Sequence, residues 1–187
     1  MFEHITVLLS FVYALALSHL LTSGTELVWA RERVHVSWIQ VLWMVILVLE
    51  LFENWIGTFY LNARTHWDVF DIGIFFAAAV AEYFTCSLIS IRVRDDGPVD
   101  MPAFYERQRP ILFSVYLLLG AIGIFENWWG SNTPGQPADA WLWADVTILP
   151  MMALAVIAGW ARPLWLQWVA AVGILALDTY FLIQYAI

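Results

Sequence analysis

Residues 38–60, from Trp38 to Tyr60, read WIQVLWMVILVLELFENWIGTFY, an apolar run broken chiefly by Gln40, Glu50, Glu53, Asn54 and Thr58. At about 1.5 Å per residue a helix of this length exceeds the roughly 30 Å hydrocarbon core of a bilayer. Its Phe52-Glu53-Asn54-Trp55 recurs as Phe125-Glu126-Asn127-Trp128 inside a second apolar stretch. A carboxylate at membrane depth costs roughly 2.5–3.5 kcal/mol on insertion scales. A chain that accepts this cost twice, in the same local sequence, is expected to use the carboxylates.

The whole composition agrees with that reading. The 187 residues are 62% hydrophobic and 13% charged, with no lysine, whereas a soluble domain carries about 25% charged residues. The class is an integral membrane protein, all-α, with a single membrane domain and the lipid bilayer as its immediate partner. The formal charge of −8 argues against nucleic acid, and it is an upper bound because several acids lie in apolar runs. Cys86 is the only cysteine, so an intrachain disulfide and a cysteine metal cluster are excluded; it reads as a small packing residue. Met1–His4 lacks a basic n-region and no small-residue cleavage site follows, so the first apolar segment reads as a retained helix.

Six segments are long enough to span: Ile5–Val28, Trp38–Tyr60, Phe70–Ile91, Ile111–Trp129, Ala140–Trp160 and Leu164–Ala186. Arg-Glu-Arg-Val-His after the first, Ser131–Pro137 after the fourth and Arg162-Pro163 after the fifth punctuate them. The first, third and fifth loops hold Arg31, Arg33, Arg92, Arg94, Arg107, Arg109 and Arg162, and the opposite side only Arg64. By the positive-inside rule those loops are cytoplasmic and both termini face outward. Trp38, Trp67, Trp128, Trp129, Trp141, Trp160 and Trp165 near span ends suit an interfacial belt.

In this topology the second, fourth and sixth helices all run outward, and Glu53, Glu126 and Asp178 fall at similar depth. Ala176-Leu177-Asp178-Thr179-Tyr180 is a degenerate third copy of the apolar, apolar, acid, small polar, aromatic pattern. Among the odd helices, Ser18-His19 aligns with Glu82-Tyr83. The implied architecture is a six-helix bundle of helical hairpins in parallel arrangement.

Two readings are open for Glu53 and Glu126 with Asn54 and Asn127. One is hydrogen-bonding glue between helices, worth about 0.6–2 kcal/mol; the other is a cation or proton site. Glu50 lies one turn before Glu53 and within reach of Asn54. Two such carboxylates in low dielectric cannot both ionise cheaply, and no arginine lies at their depth. Glu82 sits mid-helix as a further relay candidate, and Asp178 as an outer-half contributor. Asp145 reads as wet at the outer interface, and Asp71 as complementing a helix N-terminus. His19 reads as a hydrogen-bonded packing residue or a polar ligand; His4, His35 and His66 offer it no partner at matching depth for a haem. The absence of lysine excludes a retinal Schiff base and pyridoxal chemistry. Asp100 reads as the N-cap of a short interfacial helix with Pro102 just inside, its Arg107 and Arg109 facing lipid phosphates. Pro150 is expected to kink the fifth span and free a carbonyl. No nucleotide-binding, hydrolase, zinc-protease or selectivity-filter motif occurs, which lowers the enzyme reading without removing it, and the sequence names neither metal nor cofactor.

Ser18-His19-Leu20-Leu21 together with Asp100, Tyr105, Arg107 and Arg109 resembles a pattern found in uncharacterised bacterial six-helix integral membrane proteins. The resemblance covers roughly the first two-thirds of the chain. It implies the architecture and a bacterial inner-membrane location, and it implies no activity. Three functions follow as expectations. The leading one is a cation- or proton-coupled transporter or channel, homo-oligomeric if it forms a pore. The second is a non-catalytic, pigment- or electron-transfer-related subunit of a membrane complex, suggested by short loops and by 12 Trp, 12 Phe and 7 Tyr. The third is an intramembrane enzyme acting on a lipid or quinone.

Overall fold

The computed structural model describes residues 2–60, 67–93, 97–131 and 140–186, of which 60, 130–131, 140–145 and 184–186 are described by backbone alone. Arg64, His66, Arg94 and most of the expected Ser131–Pro137 separator lie outside the described residues, as do the side chains of Trp141 and Asp145. The described residues form six α-helices: α1 (Phe2–Trp29), α2 (Trp38–Tyr60), α3 (Val69–Ile89), α4 (Met101–Ser131), α5 (Ala140–Trp160) and α6 (Leu164–Ala186). Five are long and apolar enough to cross a membrane, and α5 contributes the shorter apolar stretch Val146–Trp160. The expected all-α bundle is therefore the fold.

Each helix packs against two principal neighbours, closing a ring in the order α1, α3, α4, α5, α6, α2. The hairpins α1–α2, α3–α4 and α5–α6 are all packed pairs. The first two are matched across the α1–α3 contact: His19 Nε2 and Tyr83 Oη are 3.0 Å apart, and the short strands β1 (Val34–His35) and β2 (Val99–Asp100) pair in parallel, Val34 to Val99 and His35 to Asp100. Corresponding positions meeting at equal depth are what two hairpins related about an axis between α1 and α3 would give. The third hairpin completes the ring against α4 and α2.

The loops that carry the arginines are gathered at one end. There the carbonyls left without intrahelical partners at helix C-termini are met by side chains from neighbouring helices. Gln40 Nε2 donates to the Ile89 carbonyl at 2.9 Å, and Ser23 Oγ to that of Ile91 at 2.8 Å. At the end of α5, Arg109 Nη1 donates to the Ala161 carbonyl at 2.9 Å and Gln167 Nε2 to the same oxygen at 3.3 Å. Glu26 accepts from the Val93 backbone at 2.9 Å, and Arg33 donates to the Gly97 carbonyl at 3.0 Å. A cation at the negative end of the α5 dipole suits Arg109.

These contacts correct the expectation for the fourth span. There is no separate interfacial helix: α4 runs unbroken from Met101 through Pro110 to Ser131. Asp100 does cap it, its Oδ1 accepting from the Ala103 backbone at 3.1 Å. Only Arg107 remains exposed; Arg109 is buried and bound to the α5 terminus and to Glu106 at 3.3 Å. The buried Tyr105 and Met101 on the same stretch give the extra turns an inward face, which holds them in line with the span.

At the opposite end, Asp68 and Asp71 form a reciprocal capping box at the start of α3, and Trp129 Nε1 donates to Asp71 at 3.0 Å. Asp71 thus has the helix-terminal role expected of it. Trp38, Trp128, Trp129, Trp160 and Trp165 are exposed as an interfacial belt requires. Trp67 is not; it is buried with Ile5, Leu9 and Phe75, because it precedes the cap and folds back over the α1–α3 seam. Cys86 is fully buried in the main core.

Helices α4, α5 and α6 approach closely through small residues, as lipid-embedded helices do. Ala155, Ala158, Ala170 and Ala171 are fully buried. A Cβ at Gly159 would lie 2.8 Å from Phe113 Cβ, and one at Gly173 2.8 Å from Leu154 Cδ1. Gly159→Leu is therefore expected to destabilise the bundle by about 1–3 kcal/mol through overpacking. Gly24→Ala, where an added Cβ meets nothing within 4 Å, is expected to be neutral or slightly stabilising. Unfolding midpoints of the purified variants in mild detergent check both.

Candidate functional site

The ring encloses a partly open cavity of about 740 Å³ whose wall draws residues from all six helices. On α2 the lining positions are Glu50, Glu53, Asn54, Gly57 and Thr58, and on α4 they are Tyr116, Leu119, Gly120, Gly123, Glu126 and Asn127. Both sets follow the three- and four-residue spacing of one helical face. Helix α3 supplies Glu82, Phe75 and Ala78, α6 supplies Asp178, Tyr180 and Phe181, α1 supplies Leu9 and Tyr13, and α5 supplies Thr147, Met151 and Met152 among others. The lining positions on α1, α2 and α6 lie in the half of the helix remote from the arginine-bearing loops, and Tyr116, Glu82, Met151 and Met152 bring the wall to the middle of α4, α3 and α5.

Every residue the sequence nominates for a cation or proton site (Glu50, Glu53, Asn54, Glu82, Glu126, Asn127 and Asp178) is on this wall. His19 is not. It sits at the α1–α3 contact, edge-on to Tyr83 with ring centroids 5.2 Å apart. Among the described residues lining the cavity there is no arginine.

The acids differ in how they are held. Glu82 is 1% exposed; its Oε2 accepts from Asn54 Nδ2 at 3.0 Å, tying α3 to α2, and its Oε1 has no hydrogen-bond partner. Glu50 is 6% exposed and accepts from the Tyr116 hydroxyl of α4, with Oε2 unsatisfied. Asp178, 1% exposed, has neither oxygen satisfied by protein. Glu53 is half-buried with Oε1 unsatisfied. Asn54 thus serves Glu82 across the helix interface rather than Glu50 on its own helix, because the two side chains face each other across the α2–α3 contact. Among the described residues no three His, Cys, Asp or Glu side chains converge closely enough to hold a metal ion.

Beneath the Glu50–Tyr116 bond the cavity is closed toward the arginine end by packed aromatic rings. Trp43 meets Phe113 edge-on at 4.8 Å and Tyr116 at 6.3 Å. Trp43, Phe113 and Tyr105 are essentially excluded from solvent. Sequence reasoning did not find this floor, nor Tyr13, Tyr116 and Gly57. The signal available was the stripe Glu50, Glu53/Asn54, Gly57/Thr58, whose polar and small residues mark the inward face of α2.

No family model, curated protein or solved structure matches this chain.

The Asn54–Glu82 bond makes a measurable claim. A double-mutant cycle with Asn54→Ala and Glu82→Ala, read by detergent unfolding, is expected to give a coupling energy of about 0.6 kcal/mol and up to about 1.7 kcal/mol. Strict additivity would mean that the bond does not form.

Proposed function

We propose that this protein is a cation- or proton-coupled membrane transporter or channel that works through intramembrane carboxylates. The observation that carries the reading is the single cavity on which Glu50, Glu53, Glu82, Glu126 and Asp178 meet without an arginine among its described lining residues. Acids at membrane depth that face a cavity mark ion and proton pathways. Glue between helices would place the carboxylates on helix–helix contacts with their oxygens satisfied. Here Asp178 and parts of Glu50, Glu53 and Glu82 keep oxygens without protein partners.

In this mechanism a cation or proton enters the wide half of the cavity and exchanges hydration for carboxylate and amide oxygens of Glu53, Asn54, Glu126 and Asn127. Asp178 contributes at the same level, Glu82 takes the charge deeper, and Glu50 receives it at the floor. Passage onward requires the Trp43–Phe113–Tyr116 layer to part, which a rocking of α2 against α4 would accomplish by breaking the Glu50–Tyr116 bond. Alternating access of this kind moves packed helices around a fixed site near the membrane midplane.

The arginine distribution supports an orientation with the cavity toward the outside, the aromatic floor toward the cytoplasm and both termini outside. The resemblance to bacterial six-helix membrane proteins supports an inner-membrane location. Since one chain encloses the cavity, one chain is the transport unit, and a homo-oligomer would set such units side by side.

Reconstituted in liposomes, Glu53→Gln, Glu126→Gln and Asp178→Asn are each expected to reduce cation- or pH-driven flux at least ten-fold while eluting as monodisperse protein. Flux at the wild-type rate from both Glu53→Gln and Glu126→Gln would overturn the proposal. The complex-subunit reading instead predicts visible absorbance or stoichiometric partners in protein purified from its host in mild detergent, and an absorbance spectrum with a native mass distinguishes the two.

A further inference from the structure

We propose that the ligand of this cavity is an organic cation, a protonated amine or quaternary ammonium carrying an apolar body, rather than a dehydrated metal ion. The inference rests on the transport reading for its biological role but on separate observations for its chemistry. The first is size. About 740 Å³ lies within the range of roughly 300–1,000 Å³ typical of sites for drug-sized molecules. A hard cation such as Ca²⁺ instead draws 6–8 oxygens to about 2.3–2.6 Å.

The second is how the acids are arranged. They are distributed over the wall on separate helices, and among the described residues no three acidic, histidine or cysteine side chains converge to hold a metal. Spread charge suits a cation whose own charge is diffuse or is carried at one end of a longer body. The third is the surface between the acids. Tyr13, Phe75 and Phe181 present aromatic rings to the cavity, and Met151 and Met152 present thioethers. Aromatic faces attract ammonium groups, by about 2 kcal/mol or more when desolvated, and methionine adapts its shape to irregular apolar bodies. None of these groups offers a small metal ion a ligand of comparable strength.

The fourth is Asp178. It is 1% exposed, lines the cavity and has both carboxylate oxygens without a protein donor. It is the natural counter-ion for an ammonium head, with Glu82 across the cavity held in place by Asn54. The apolar body would then lie along the aromatic and thioether wall.

Gly57 supplies the discriminating variant. It lines the cavity, and a Cβ added there meets nothing within 4 Å. A phenylalanine at that position starts from open space and extends into the cavity, and replacing a mid-helix glycine favours the helix. Calorimetric titration of the full chain in detergent with benzyltriethylammonium is expected to show saturable binding. That binding should weaken at least ten-fold in Asp178→Asn and in Gly57→Phe, and stay unchanged in Glu3→Gln at the start of α1. The uncharged N,N-diethylbenzamide should not bind. Wild-type affinity in monodisperse Gly57→Phe, or no saturable binding to the wild type, would overturn the inference. Parallel liposome assays separate the two proposals. Proton or K⁺ flux that Asp178→Asn abolishes, without any binding of the ammonium, leaves transport standing and removes the organic cation. Binding sensitive to Asp178→Asn and Gly57→Phe, in a protein that conducts nothing, keeps the cation site and removes transport.

Discussion

Carboxylates enclosed by a lysine-free, apolar bundle must find something to neutralise or solvate them, and this constraint organises the protein's interior. No arginine is among the described residues lining their cavity; Arg33 and Arg109 stand at one end of the bundle, tied to loop and helix-terminal carbonyls. Glu82 and Glu50 have a hydrogen bond each, from Asn54 and Tyr116, and the acids share one cavity. Burying a charge without a partner is costly, and these groups are what the proposed transport reading accounts for. The acids line the polar half of the bundle, and packed apolar side chains fill the other half.

The two halves are built differently. In the half bearing the arginines, alanines and glycines let α4, α5 and α6 come together, and Trp43, Phe113 and Tyr105 fill the centre. Side-chain hydrogen bonds to helix-terminal carbonyls fix the loops there, so the closed end is also the firmly braced one. In the other half, Gly57 lies on the wall beside the acids with open space where a side chain would stand, and Gly120 and Gly123 let α5 side chains Met152 and Ile148 pack against α4. One sequence thus makes a plug and a chamber along the same six helices, and the Glu50–Tyr116 bond marks the boundary.

Much of this could be read beforehand, and the limits have physical causes. The number of spans follows from hydropathy because backbone in lipid must satisfy its own hydrogen bonds. The nomination of Glu53, Asn54, Glu126, Asn127, Glu82, Glu50 and Asp178 followed from depth and from the repeated tetrapeptide, and all seven share one cavity. Asn54 was placed with Glu50 because they are one turn apart, yet it bonds Glu82, since a contact across helices depends on rotation that a wholly apolar helix surface does not disclose. Arg109, on what the sequence presents as an interfacial helix, reads as facing lipid phosphates. Its inward turn depends on where the α5 terminus sits, which is a property of the ring.

The sequence alone determined that the chain is an all-α bundle of apolar spans, that its arginines cluster on alternate loops, and which acids are the costly ones, because insertion energetics and helix rise are local quantities. Only the tertiary structure decided the ring order α1, α3, α4, α5, α6, α2, the aromatic floor under Tyr116 and the convergence of the acids on one chamber. Those outcomes depend on which faces of the helices pack together, and packing between apolar surfaces is settled by shape, small residues and a few hydrogen bonds distant in sequence.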